Sequence, residues 1–118
     1  MKKLYNLELL EMLSGGDKDF VTKMVNLFLD QTPDLMIRMK KGAEEQNLKE
    51  VKLSAHKMIS SISMMNIEDL KNPVREIEEM AERGEDSSGI KRKVFVLDQS
   101  MNEVVSQIRQ DFESVRIN

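Results

Sequence analysis

The sequence predicts an all-α protein: an up-and-down antiparallel four-helix bundle with an additional short N-terminal helix. Apolar residues recur at steps of three and four through most of the chain, and no stretch alternates convincingly at the period of two that a half-buried strand requires. The breaks between periodic stretches are short, and short connections between amphipathic helices favour antiparallel neighbours. The chain has 118 residues, 40% of them apolar and 33% charged. That size and balance fit one globular domain over 1–118 with one core.

Taken in order, residues 7–14 read as a short helix with Leu9, Leu10 and Leu13 available for packing, stopped by Gly15-Gly16. Asp17 is a good N-cap for a second helix over 18–31, whose wide apolar face holds Phe20, Val21, Met24, Val25, Phe28 and Leu29. Thr32-Pro33-Asp34 is a restart signal, with Thr32 as N-cap, Pro33 at the first helical position and Asp34 complementing the positive helix end. A third helix then covers 33–46, with Leu35, Met39 and Ala43 inward. Gly42 inside it costs on the order of 1 kcal/mol relative to Ala, and the sequence offers no reason for it. Asn47-Leu48-Lys49-Glu50 resembles a capping box, with Glu50 reaching back to Asn47. It opens a helix running to about residue 65, broken by Asn66. Residues 67–83 follow with Leu70, Val74, Ile77 and Ala81 as their stripe, interrupted at Pro73 or preceded there by a separate turn. After a loop over 84–89, a last helix over 90–115 carries Val94, Leu97, Met101, Val104, Ile108, Phe112 and Val115. The third to last elements supply four core helices, and the N-terminal helix is a cover. The heptad of the last helix also fits a coiled-coil dimer. The other helices offer enough apolar surface to bury it within one chain, so a monomer is the expectation.

Composition excludes several classes of function. No cysteine is present, which rules out disulfides and thiolate metal sites and points to a reducing compartment. A formal charge of -3 gives no reason to expect nucleic acid as a partner. The start, Met1-Lys2-Lys3-Leu4-Tyr5-Asn6, lacks the apolar run of a signal peptide, and no segment approaches the ~20 apolar residues that span a bilayer. Cytoplasmic localisation without membrane insertion is the expectation. Met1 with a short leader points to a free-standing protein. The run Glu76-Glu78-Glu79-Glu82 reads as a solvated helix face, as do Lys40-Lys41 and Lys91-Arg92-Lys93. Of the ten methionines, Met58, Met64 and Met65 read as core.

The informative stretch surrounds the single histidine. Leu48, Val51, Ala55, Met58, Ile62 and Met65 form one continuous stripe. At about 100° per residue, His56 lies off that stripe, on a flank with Lys49, Lys52, Ile59, Ser60 and Ser63. The helix therefore buries one side and holds an imidazole at the water, open to a large partner. From the preceding helix, Met36 or Ile37 would join this face. Metal binding is disfavoured, since one histidine and no cysteine leave only carboxylates and the residue three before it is Leu53. No glycine-rich nucleophile turn or phosphate loop is present.

The segment Ala55-His56-Lys57-Met58-Ile59-Ser60-Ser61 resembles the active helix of histidine-containing phosphotransfer (HPt) domains, which carry Ala-His, an apolar residue two positions on, usually Lys, then Gly or another small residue, then Ser. The Ser14-Gly15-Gly16-Asp17 turn is similar to the end of the family's entry helix, and Phe28-Leu29 to part of its first bundle helix. Leu70 and Ile77-Glu78 are similar to the helix after the phosphorylated one. The resemblance covers roughly residues 4–115. Two positions differ: Ile59 stands where Lys is usual, and Ser60 where Gly is usual.

This resemblance implies that His56 is phosphorylated. Lys57, adjacent in sequence, and Lys52, one turn earlier on the same flank, would support the phosphoryl charge, although neither stands where the family's Lys does. Helical spacing makes Ile59, Ser60 and Ser63 the docking residues. The resemblance implies a phosphoryl carrier between receiver-domain aspartates in a multistep His-Asp phosphorelay, with response-regulator receivers or a hybrid sensor kinase as partners. No cofactor is expected, because Mg²⁺ and the acidic cluster belong to the receiver. No nucleotide-binding signature is present, so no ATP-dependent kinase activity is expected. The alternative reading is a non-phosphorylated helical adaptor that binds a signalling partner through the same face.

Overall fold

A computed structural model describes residues 2–85 and 87–116. They form five helices: α1 (Glu8–Ser14), α2 (Lys18–Glu44), α3 (Leu48–Met64), α4 (Glu68–Glu82) and α5 (Ser87–Arg116). No strand occurs among the described residues. Helix α3 packs on α2 and α4, and α5 packs on the same two, so α3 and α5 stand diagonally across a four-helix ring. Helix α1 lies against α2. None of the described helices is long and apolar enough to cross a membrane.

The stripes read from the sequence are the core. Val51, Ala55, Met58, Ile62 and Met65 are buried with Leu70, Val74, Ile77 and Ala81 of α4. From α5, Val94, Leu97, Met101, Val104 and Ile108 are buried within this one chain, so that stripe is not left over as a coiled-coil seam. Phe112 packs partly against the core; Val115 lies outside the described side chains. Met58 and Met65 are buried core residues, while Met64 packs at the margin. In α1 only Leu10 is buried, and Leu13, expected to pack, is exposed.

Helix α2 departs from the expectation. Residues 18–31 and 33–46 are not two helices but one, and Pro33 sits inside it. A mid-helix proline removes one backbone hydrogen bond and costs about 3 kcal/mol. The offsetting term is an unbroken buried face, Val21, Val25, Phe28, Thr32, Leu35, Met36, Met39 and Ala43, which keeps its helical spacing straight through the proline. Thr32 caps nothing: its side chain is buried with Oγ1 unpartnered. Pro73 likewise lies inside α4 and interrupts nothing. The Asp17 cap forms, its Oδ1 accepting from the Asp19 and Phe20 amides at 3.0 and 3.3 Å. At Asn47 the side chain accepts from the Glu50 amide at 3.2 Å. The Asn47 amide, however, donates to the Gly42 carbonyl at 2.8 Å, so Glu50 has no vacant donor to reach back to.

The same turn explains Gly42. A Cβ there would stand 3.1 Å from the Asn47 carbonyl oxygen and from Val51 Cγ2, and 3.2 Å from the Val51 amide nitrogen. Glycine lets α2 approach the start of α3. Two of those atoms are backbone and cannot rotate away. Gly42→Ala should therefore destabilise the protein by about 1–2 kcal/mol despite its better helix propensity, read as a lower urea midpoint at unchanged slope.

Residues before α1 strap the end of the bundle. The Leu4 amide donates to Gln107 Oε1 (2.8 Å) and Gln107 Nε2 donates to the Lys2 carbonyl (2.9 Å). The Asn6 amide donates to the Met65 carbonyl (3.0 Å). Tyr5 is buried, and its hydroxyl donates to Asp111 Oδ2 at 2.6 Å. Burial first, and the Asp111 carboxylate second, push the Tyr5 hydroxyl well above the usual phenol range. Below about pH 10 both folded and unfolded chains hold this proton. Above it the unfolded chain loses the proton while the folded one keeps it, so stability falls as pH rises. Tyr5 is the only tyrosine, so absorbance of the phenolate reports it alone. Its ionisation should coincide with alkaline unfolding, and Tyr5→Phe should flatten the decline in Tm above pH 10.

Candidate functional site

His56 stands on the outer face of α3, its side chain 75% exposed. Its Nδ1–H donates to Glu78 Oε2 across the α3–α4 groove at 2.7 Å. A carboxylate accepts, so a neutral ring in this hydrogen bond carries its proton on Nδ1 and leaves the Nε2 lone pair free. Glu78 is half-buried, 19% exposed, which holds its carboxylate in place against the ring. Its neighbours Glu76, Glu79 and Glu82 are solvated as expected. The solvated-face reading fails only at Glu78, because α4 turns that position toward α3. One turn along, Lys52 Nζ lies 3.4 Å from Glu82 Oε1. The pairs 56–78 and 52–82 run in opposite senses along the chain and fix the antiparallel register of α3 on α4.

Of the other residues singled out in the sequence, Lys57 is exposed and adjacent in sequence, about 100° round the helix from His56 toward α2. Ser60 is exposed, and with Ser61 it borders a cleft of about 190 Å³ whose far wall is Met24, Leu27 and Phe28 of α2. Ser63 is half-buried, and Ile59 is half-buried against the core rather than standing free. Met36 is buried and cannot join the face. The exposed apolar residues of this side are Leu53, one turn before His56, and Leu27 beside the cleft. Neither was singled out from sequence as a contact. Leu53 could have been, as an apolar residue at helical spacing from His56 off the buried stripe.

A larger groove of about 430 Å³ lies between α4 and α5, lined by Leu4, Pro73, Val96 and Leu97 among others. It is bordered by no part of α3, so it is separate from His56.

The Hpt domain family model matches residues 23–115, from the second turn of α2 to the end of α5. The chain belongs to the Hpt domain family. Comparison with curated proteins and with solved structures returns no match. Membership accounts for the four-helix bundle and, at family level, for histidine phosphotransfer in a phosphorelay. In this Hpt domain the single histidine falls inside the matched range, on the exposed face of the second bundle helix.

Proposed function

We propose that this Hpt domain is an intermediate phosphoryl carrier, taking a phosphoryl group from an aspartyl phosphate of one receiver domain onto His56 and passing it to the aspartate of another. The observation that carries this reading is the Nδ1–H···Glu78 hydrogen bond on an otherwise exposed ring. It presents Nε2 outward as the nucleophile.

In the accepting step the Nε2 lone pair forms the N–P bond as the aspartyl P–O bond breaks. The aspartate leaves as a carboxylate with that electron pair. The Nδ1 proton stays on the ring, shared with Glu78, so the phosphorylated ring keeps a cationic imidazole next to a carboxylate. The onward step reverses these changes: the receiver carboxylate attacks phosphorus, and imidazole leaves as a neutral ring that already carries its proton. Neither step needs a proton from water. Glu78 is a positioning residue, fixing the tautomer and the ring. Phosphoryl transfer asks for in-line placement and charge neutralisation more than covalent help, and Mg²⁺ with its acidic ligands comes from the receiver. Leu53, Leu27 and the cleft beside Ser60 provide an apolar rim of the kind a transient interface uses. Ser63 and Ile59 contribute the edge of that rim.

Intact mass tests this reading directly. After mixing with a phosphorylated receiver and Mg²⁺, the protein should gain one acid-labile phosphoryl group. No gain across a broad panel of receivers would favour the adaptor reading instead.

A further inference from the structure

A phosphoryl group on Nε2 of His56 is a dianion placed one ring away from the Glu78 carboxylate. The cationic ring between them offsets one of these charges, and a further cation facing the phosphoryl oxygens would stabilise the dianion. Besides Lys49, which shares the flank but lies about two turns before His56, three cations stand on this side, and they are not equivalent. Lys52 lies one turn before His56 and is matched by Glu82 at 3.4 Å. Lys57 points about 100° away, toward α2. Lys71 is tied to Glu68 at 2.8 Å and stands about two turns from Glu78 along α4.

Arg75 differs from all three. On α4 it sits three residues before Glu78, so the two share the helix flank that faces α3. The antiparallel register set by 56–78 and 52–82 brings position 75 level with Ile59, the turn of α3 that follows His56. Ile59 is apolar and supplies no charge. Arg75 is exposed and makes no ion pair among the described residues. Its position is level with the turn after His56, and its guanidinium has the fork geometry that binds two phosphoryl oxygens at once.

We propose that Arg75 reaches across the α3–α4 groove to bind the phosphoryl group on His56. The cation is thus supplied from the neighbouring helix, beside the carboxylate that orients the ring, while Lys52 remains matched by Glu82. This inference rests on the phosphocarrier reading of His56.

The experiment uses phosphoramidate as a small donor, which removes receiver docking from the measurement, and follows phosphohistidine by intact mass and ³¹P spectra. Arg75→Gln should slow acceptance by about tenfold or more, the scale of one charge-assisted hydrogen bond, and should shift the ³¹P resonance. Arg75→Lys should keep most of the rate. Ile59→Lys placed in the Arg75→Gln background should recover it, because position 59 faces position 75 across the groove. Equal rates and spectra for the wild type and Arg75→Gln would overturn the assignment of Arg75 while leaving His56 as the carrier. A loss that neither lysine repairs would mark a structural role and overturn it too. If the wild type is labelled by neither phosphoramidate nor any receiver, the carrier reading itself fails, and the proposal with it.

Discussion

His56→Gln should abolish phosphoryl acceptance completely while leaving the bundle folded. His56 is the only histidine in the chain, so no second imidazole can take over the label. Its side chain is largely in water, and substitutions at such positions usually change stability by no more than about 0.5 kcal/mol. The loss of its hydrogen bond to Glu78 adds at most about 1 kcal/mol. Helical circular dichroism and Tm should therefore stay close to wild type, and receiver binding should persist through the apolar rim, while intact mass shows no phosphoryl group. A variant that is still labelled would place the phosphoryl group elsewhere and remove His56 from the mechanism. One that loses receiver binding as well as labelling would show the ring to be a docking contact in its own right.

Substitution of Glu78 has the next largest effect and separates orientation from charge. Glu78→Leu removes both the acceptor and the negative charge. The ring is then free to rotate and to carry its proton on Nε2, where it blocks the nucleophile. Transfer should slow by about 10- to 100-fold, the size found when the group that orients a metal-ligating imidazole is removed. Glu78→Gln keeps an acceptor for Nδ1–H but not the charge, so its accepting rate should lie between the two. Its phosphorylated form is the more telling measurement. The carboxylate favours a protonated Nδ1 on the phosphorylated ring, and that protonation makes imidazole the better leaving group. Without the charge, the pH at which the phosphohistidine becomes labile should move downward, and its half-life at neutral pH should lengthen. An unchanged pH profile in Glu78→Gln would mean that the charge contributes nothing and that Glu78 acts through geometry alone.

The contrast between these residues shows what could be read without the structure. His56 was legible because two local signals coincide. It lies off a continuous apolar stripe, and the residues around it resemble a known active helix. Glu78 was not legible: within α4 it is one of four glutamates spaced over two turns, and nothing in that run distinguishes the member that meets α3. Ile59 was read as a free docking residue because the wheel places it on the flank of His56, but α3 sits so close to α4 that this flank is half-covered.

Pro33 teaches the complementary lesson. Thr-Pro-Asp is a sound start signal, and the dipeptide preference against helix before proline is real. Local preference of a few kcal/mol was outweighed by burial along the whole of α2, a term that exists only once α3 and α5 are in place. Gly42 was unexplained for a related reason, since the atoms that exclude a Cβ belong to Asn47 and Val51 beyond the next turn.

The helical class, the buried stripes, most of the helix ends and the exposed histidine could be read from the residues alone. Each depends on periodicity or capping within a few residues, which the chain carries locally. That α2 is one helix, that Gly42 is a contact point, and that Glu78 rather than its neighbours holds the imidazole emerge only from the packed helices. Those depend on the register and distance between helices, and a register is a relation between two faces that neither helix specifies alone.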